Sequence, residues 1–335
     1  MEGRVVQWIT ETVPRLSFDQ VVDRLTGLKK PFHVNYLAMY SSWIGGIITD
    51  PALMMVPLDD HLVHRGDGIF EAFKCVRSGV YALQRHLDRL ERSAMALGLK
   101  SPVTRTRMEG IILETIRAAG VQDCLVRLFL SRGPGGFSTD PYECPSSQLY
   151  VMVTVFHEPP AWKYKNGVRV QTSRIPMKRD YFANIKSCNY LPNVLMTKEA
   201  RDAEVDYTVS LDERGYLGEG ATENVGFISV EGEFVVPRFD RILRGITVSR
   251  MMELAVGLLE SGELMGVRES DISLREARES REMMLFGTTF DVLPVIGFDG
   301  HPIGDGRPGP LFRRFLALLR KDTEKGSPMV TPVSH

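Results

Sequence analysis

Lys186 lies in FANIKSCNYLPN, between a β-rich stretch and a segment that reads as a helix. Apolar neighbours at such a junction can strip water from the amine. Desolvation disfavours the ammonium and leaves a neutral amine, which can act as a nucleophile or form an imine. Taken alone, the lysine reads more simply as a surface loop residue. Glu219, in GYLGEGATENVGF, has glycines on both sides that let the backbone come close to another group. A buried carboxylate there needs a cationic partner, and a protonated ring nitrogen is one. A turn carboxylate in solvent is the equal alternative.

Two segments suit an anion. LRGITVSRMMELA places Gly245, Ile246 and Thr247 at the start of an amphipathic helix, where free amides and the positive dipole end gather. Thr247 can add a hydroxyl or simply cap the helix. LFGTTFDVLP offers Gly287, Thr288 and Thr289 directly after a strand, as an anion site or a plain turn. Arg89, in HLDRLERSA, can clamp a phosphate with two parallel bonds or pair at the surface with Asp88 or Glu91. Arg127 interrupts the apolar strand DCLVRLFLS; if its face is buried it needs an acceptor, either a substrate carboxylate or a structural acid. In HRGDGIFEAFK, Arg65, Asp67, Glu71 and Lys74 surround a turn that leads into a strand able to line a pocket.

The elements that must hold these residues follow from pattern. Ser17 and Gln20 form a capping box before an appended first helix. Ser78-Gly79 suggests a hairpin turn. Leu87, Leu90, Ala94 and Leu97 share one face of a helix that Gly98 can end, and a second helix from about Thr104 to Ala119 stops at Gly120. DCLVRLFLS and LYVMVTVF read as strands around a Gly/Pro-rich loop. HEPPAWKYKNG reads as a linker. Beyond it come the alternating strand GVRVQTSRIP, a helix opened by Pro192, strands near 207–212 and 224–230, the helix at Gly245, strand EMMLFG and a final helix in PGPLFRRFLALLR.

A chain of 335 residues suggests two domains. The expected division is an extension over 1–50, a small α/β domain over 51–157, a linker over 158–163, a larger domain over 164–321 and a flexible tail over 322–335. A formal net charge of -1 gives no global attraction to nucleic acid or an acidic membrane. Cys75, Cys124, Cys144 and Cys188 form no CxxC pair and no zinc-like pattern, so free thiols, no metal site and a reducing cytoplasm are expected. Neither a signal peptide nor a bilayer-spanning stretch is read; the apolar run over 36–48 is too short to span.

HRGDGIFEAFK, HLDRLERSA, IKSCNYLPNVLMTKEA, GYLGEGATENVGF, RGITVSRMMELA and FGTTFDVLPV follow one another between about Leu58 and Leu316. In this order they resemble the successive blocks of class IV (fold type IV) pyridoxal-phosphate-dependent aminotransferases. That family includes branched-chain aminotransferases, D-amino-acid aminotransferases and aminodeoxychorismate lyases. The resemblance implies an α/β (α+β) fold of two domains, the smaller first, with pyridoxal 5'-phosphate between them. It implies that Lys186 forms the imine to the cofactor, that Glu219 pairs with the ring nitrogen, and that Arg89, Ile246, Thr247 and Thr288 hold the phosphate. Thr289 would lie near the substrate carboxylate. Tyr190 resembles the tyrosine that contacts the phenolic oxygen in branched-chain enzymes, although it follows the lysine by four residues rather than five.

For the substrate, Lys74 and GDGIFE resemble the D-amino-acid enzymes. The loop SRGPGGFSTDP lacks their R-x-H carboxylate trap and carries Phe137 there, leaving Arg65, Arg127 and Arg132 as alternatives. The implied activity is amino-group exchange between an amino acid and a 2-oxo acid, with D-amino acids ahead of branched-chain L-amino acids. The alternative is a carbon–carbon lyase that forms 4-aminobenzoate and pyruvate. A homodimer is also implied.

Overall fold

The structure, a computed structural model, describes residues 13–333. Ser17 caps helix α1 (Phe18–Thr26) through the expected reciprocal box with Gln20. The chain continues through β1 (Tyr36–Ser41), β2 (Gly46–Ile48), the short α2 (His61–Arg65), β3 (Gly68–Val76), β4 (Gly79–Tyr81), α3 (Leu83–Leu97), α4 (Arg105–Ala119), β5 (Cys124–Ser131) and β6 (Gln148–Val155). After α5 (Ala161–Asn166) come β7 (Val168–Thr172), α6 (Asp180–Ala183), α7 (Leu191–Asp202), β8 (Tyr207–Leu211), β9 (Leu217–Gly220), β10 (Asn224–Ile228) and β11 (Glu233–Pro237). The remainder is α8 (Ile246–Glu260), β12 (Gly266–Ser270), α9 (Leu274–Glu279), β13 (Glu282–Gly287), β14 (Asp291–Phe298), β15 (His301–Pro302), α10 (Pro310–Asp322) and β16 (Val330–Pro332).

Two sheets organise these elements. The first is antiparallel, in the order β16-β4-β3-β5-β6-β1-β2. The second is mixed, in the order β12-β11-β10-β13-β14-β7-β8-β9, and a further pairing of β9 with β10 closes β10, β13, β14, β7, β8 and β9 into a ring. The closing pair is Glu219 opposite Asn224.

Strand alternation sorts the first sheet's side chains by face. On β5, Cys124, Val126, Leu128 and Leu130 are buried in a core with Leu87 and Leu90 of α3 and with Ile111, Ile112 and Ile116 of α4. The intervening Leu125, Arg127 and Phe129 line a cavity instead. Both helices end as the sequence predicts, at Gly98 and Gly120, whose left-handed φ of 60° and 68° suits glycine.

Four expectations need correction. The residues over 1–50 are not wholly appended: β1 pairs with β6 and β2 with β1, and the consecutive Ala38 and Met39, on opposite faces of β1, are both buried. The tail over 322–335 is ordered through 333. β16 pairs with β4, Val333 is buried, and Asp322 accepts from Tyr81 Oη at 2.7 Å and Arg250 Nη2 at 2.8 Å. The linker over 158–163 runs directly into α5. The hairpin turn is made by Arg77 and Ser78, both at positive φ, while Gly79 already pairs with Val76. Gly79 serves a packing need: a Cβ there would lie 2.5 Å from Val330 Cγ1.

Lys74 is also displaced from its expected role. Its amine is buried and lies 2.5 Å from Asp291 Oδ1 at the start of β14, which ties the first sheet to the second. Removing the cation strands a buried carboxylate. Lys74→Met should therefore lower stability in urea unfolding by about 3–5 kcal/mol, and adding Asp291→Asn should recover much of the loss. A Lys74→Met protein as stable as the parent would show that this pair does not hold the sheets together.

Candidate active site

Lys186 is placed by main-chain bonds before its side chain does anything. Phe70 N donates to Lys186 O at 3.0 Å, and Ser187 bridges to Ile69, so the segment after α6 is zipped onto β3. The side chain turns into a cavity of about 620 Å³ between the two sheets. Its Nζ lies 3.0 Å from Tyr190 Oη and 4.6 Å from the centre of the Phe70 ring. Burial, reinforced by the positive charge of Arg89, pulls the amine down to about 8, against the pull of Glu71 and Glu219. Burial and the Glu219 charge push the Tyr190 phenol up.

Glu219 faces the same cavity from β9. Leu243 N donates to its Oε2 at 3.2 Å. Burial raises the carboxyl to about 7, although Lys178, Lys186 and the Leu243 amide all favour the charged form. An amine lowered and an acid raised toward neutrality, on one cavity, is the pattern of groups tuned for proton transfer.

Arg89 is no surface residue. Asp88 and Glu91, its other candidate partners, instead bind Arg105. Arg89 is buried on α3, and its Nε and Nη2 grip the two oxygens of Glu71 at 2.7 Å each. Its Nη1 donates to Arg244 O at 3.1 Å, just before α8. His86 Nδ1 lies 2.6 Å from the same carboxylate. Burial alone would raise Glu71; Arg89 and His86 outweigh it and hold the group at about 2. Burial pulls the His86 imidazole down, and burial would do the same to Arg89 but for Glu71, which raises it.

The anion cradle is open. The N-cap of α8 is Gly245 with no side-chain cap, so Thr247 sits in the first turn rather than capping it. A Cβ on Gly245 would lie 1.8 Å from Asn224 Oδ1. Only glycine allows Asn224 to stand there, where its Nδ2 donates to Leu243 O at 3.0 Å. Ile246, Thr247, Thr288 and Thr289 all line the cavity. Helix-end amides and hydroxyls of this kind favour a phosphate by roughly 0.3–1 kcal/mol from the dipole alone.

The substrate candidates separate clearly. Arg127 lines the cavity and gives Nη1 to Thr154 Oγ1 at 3.1 Å. Arg65 binds the carbonyls of His64, Phe137 and Ser138, and Arg132 grips Asp67 at 2.8 Å and the carbonyls of Leu97 and Gly98. Both brace loops, and with the buried Lys74 they lie off the cavity wall. Pattern reasoning missed Lys178, Asn193 and Glu223, which line the cavity: Asn193 and Glu223 stand inside the blocks that carry Lys186 and Glu219, and Lys178 lies in a segment with no distinctive spacing. It grouped Glu71 with the pocket strand without its ion pair; the alternation of FEAF was the available signal.

These residues fit a phosphorylated pyridine aldehyde. A neutral-leaning amine, an opposed acid and an uncapped helix end converge on one cavity. Asn193 Oδ1 and Glu223 Oε1, two buried oxygens of cavity-lining residues, have no hydrogen-bond partner within the described chain.

Residues 68–297 match the amino-transferase class IV family. The chain is 41% identical over 323 residues to the D-amino-acid transaminase, chloroplastic, of Arabidopsis thaliana, covering 95% of this chain and 84% of that one. The branched-chain amino acid aminotransferase of Escherichia coli superposes with a TM-score of 0.81 at 24% identity, covering 90% of this chain and 100% of that one. The T.th. branched-chain amino acid aminotransferase, solved with pyridoxamine 5'-phosphate, gives a TM-score of 0.83 at 23% identity with the same coverage.

In cofactor-free protein Lys186 should react with an amine-selective acylating reagent at a rate that climbs through a pH of about 8, where its free amine forms. Solvent-exposed lysines should lag until the ordinary range for this side chain, about 10.4. Peptide mass spectrometry across a pH series reads both classes of site. If Lys186 titrated together with the exposed lysines, the desolvation account would fail.

Proposed function

This chain belongs to the class IV aminotransferases, enzymes that work with pyridoxal 5'-phosphate, and from that premise we propose that it exchanges amino groups between D-amino acids and 2-oxo acids, with Lys186 as the reacting amine. The observation that carries the reading is the convergence of Lys186, Glu219 and the uncapped α8 N-terminus on one cavity. The D-amino-acid preference is supported by the similarity to the Arabidopsis transaminase. That relative's name also favours amine exchange over the carbon–carbon lyase.

When bound, the cofactor supplies an aldehyde that condenses with amines and a ring that takes up carbanion electrons. The α8 amides of Ile246 and Thr247, with Thr288 and the Arg89 side chain, would hold its phosphate. Glu219 would face the ring nitrogen and keep a proton there. Tyr190 Oη, already bonded to Lys186 Nζ, would orient the amine and meet the phenolic oxygen. Lys186 Nζ, facing the same cavity, would be the base for a proton on the substrate α-carbon. An amine near 8 can take that proton and return it.

Arg127 would meet a substrate carboxylate, because it is the candidate arginine that reaches the cavity, with Thr289 near the same group. Phe70 and Phe129, stacked at 5.8 Å, form an apolar wall that also suits a branched side chain, which keeps branched-chain L-amino acids as the second reading. The two sheets would correspond to two domains joined near 158–163. Exposed Trp43, Ile44 and Ile47 support a homodimer as the working assembly. Among the described residues no helix is long and apolar enough to cross a membrane. Four unpaired cysteines support a reducing compartment such as the cytoplasm.

The absorbance of the cofactor-loaded protein tests the reading as single amino acids are added. D-alanine or D-glutamate should bleach the yellow band, and Lys186→Ala should lower turnover by about 10²–10⁴-fold. Bleaching by L-leucine or L-valine alone would transfer the protein to the branched-chain group. A band that no amino acid bleaches would sink transamination.

A further inference from the structure

His86 and Glu71 have no part in the exchange assigned above, yet both bear on Arg89. A guanidinium carries five N–H groups in one plane. Arg89 spends the edge formed by Nε and Nη2 on the two oxygens of Glu71, at 2.7 Å each. Its Nη1 gives one N–H to Arg244 O at 3.1 Å, at the residue before Gly245. Among the described residues no further acceptor meets it, so one N–H on Nη1 and one on Nη2 are unspent. Arg89 lines the cavity together with Gly245, Ile246 and Thr247.

We propose that Glu71 and His86 are positioning residues that hold the Arg89 guanidinium with its unspent N–H groups toward the α8 end of the cavity, so that they secure a ligand's phosphate and not its ring. This rests on the reading of Arg89 as a phosphate contact.

The geometry of the cluster carries this role. Glu71 lies on β3, while His86 and Arg89 are three residues apart on α3 and so reach one carboxylate from one helix face. His86 Nδ1 stands 2.6 Å from Glu71 Oε2, the oxygen that also accepts from Arg89 Nη2. An ionised carboxylate can only accept, so Nδ1 carries the proton and donates. The imidazole is itself fixed, buried and packed 5.3 Å from the Phe73 ring. A carboxylate gripped by Arg89 alone could swing with it as a unit. The third bond, from a packed ring, pins the carboxylate plane and through it the guanidinium, and the Arg244 bond sets how far the guanidinium stands from α8. Burial keeps the imidazole on the neutral side, so the cluster holds one negative and one positive charge. What it offers an anion is aimed N–H groups rather than net charge.

The test measures binding of pyridoxal 5'-phosphate and of pyridoxal, which lacks the phosphate, to cofactor-free full-length protein by absorbance titration. A general loss of structure weakens both ligands alike; a misaimed guanidinium weakens the phosphorylated one alone. His86→Leu keeps the Glu71–Arg89 pair and loses the third bond. It should cut the preference for the phosphorylated ligand about tenfold, and His86→Asn, whose amide can donate from near the Nδ1 position, should recover most of it. Glu71→Gln should act in the same direction and more strongly, with urea unfolding reporting whether that variant folds. An unchanged preference in His86→Leu, whether both affinities hold or both fall together, overturns the proposal. Arg89→Met separates the two possible failures. If it leaves the phosphate preference intact, the reading of Arg89 as a phosphate contact falls as well. If it abolishes the preference while His86→Leu does not alter it, the positioning role alone falls.

Discussion

Glu71 is a carboxylate with no access to water, and the rest of the site is arranged around satisfying it. A buried charge of this kind is tolerated only when paired and hydrogen-bonded. Arg89 supplies two parallel bonds and His86 a third contact, all from α3 onto β3. The consequence reaches further than one ion pair. β3 carries Phe70, whose amide holds the Lys186 carbonyl, and Arg89 reaches on to the Arg244 carbonyl before α8. One cluster thus fixes both the strand that positions the amine and the approach to the uncapped N-terminus of α8. Arg89 has its geometry already set by Glu71, so little side-chain freedom would remain to be lost if it bound a phosphate.

The charges inside the cavity are graded rather than merely balanced. Glu71 is held at about 2 because its partners outweigh burial; Glu219 stands at about 7 because they do not. Glu71 is fully buried and Glu219 only part-buried, so dryness alone would order the two the other way. What separates them is direct bonding: a bidentate guanidinium against a single backbone amide and two cations that are not bonded to it. Lys186 falls to about 8 by the same logic, since the nearby positive charge of Arg89 adds to the cost of its own burial. Firm pairing serves structure and loose pairing serves chemistry.

Much of this was legible in the sequence, and the failures share a cause. Helices with an apolar face and a glycine stop, such as α3 and α4, follow local rules, and so do the α1 capping box and the glycine opening α8. The positions of Lys186, Glu219 and Thr247 around one cavity came through the ordered blocks, not through any single residue. Arg89 looked like a surface residue because Asp88 and Glu91 are adjacent in sequence, while Glu71, its real partner, is 18 residues away. Lys74 is bound to an acid 217 residues distant, and nothing local announces Asp291. β16 failed for the same reason: its reason to be ordered is β4, on the far side of the chain. Periodicity reports which face is apolar. It does not report which distant polar group will complete a buried one.

The closure of the second sheet shows how far such long-range pairing extends. Glu219 and Asn224 face each other where β9 meets β10. Asn224 Nδ2 holds the Leu243 carbonyl, and the Leu243 amide holds Glu219 Oε2. These links form a closed loop from acid to strand to amide and back to the acid. Gly245 stands against this loop, with Asn224 Oδ1 where its Cβ would be. The opening of the anion cradle and the placement of the acid are therefore one geometric condition. A side chain at 245 would push Asn224 aside, release the Leu243 carbonyl, and shift the amide that Glu219 depends on. The glycine before α8 is thus required as much by the neighbouring acid as by any anion at the helix end.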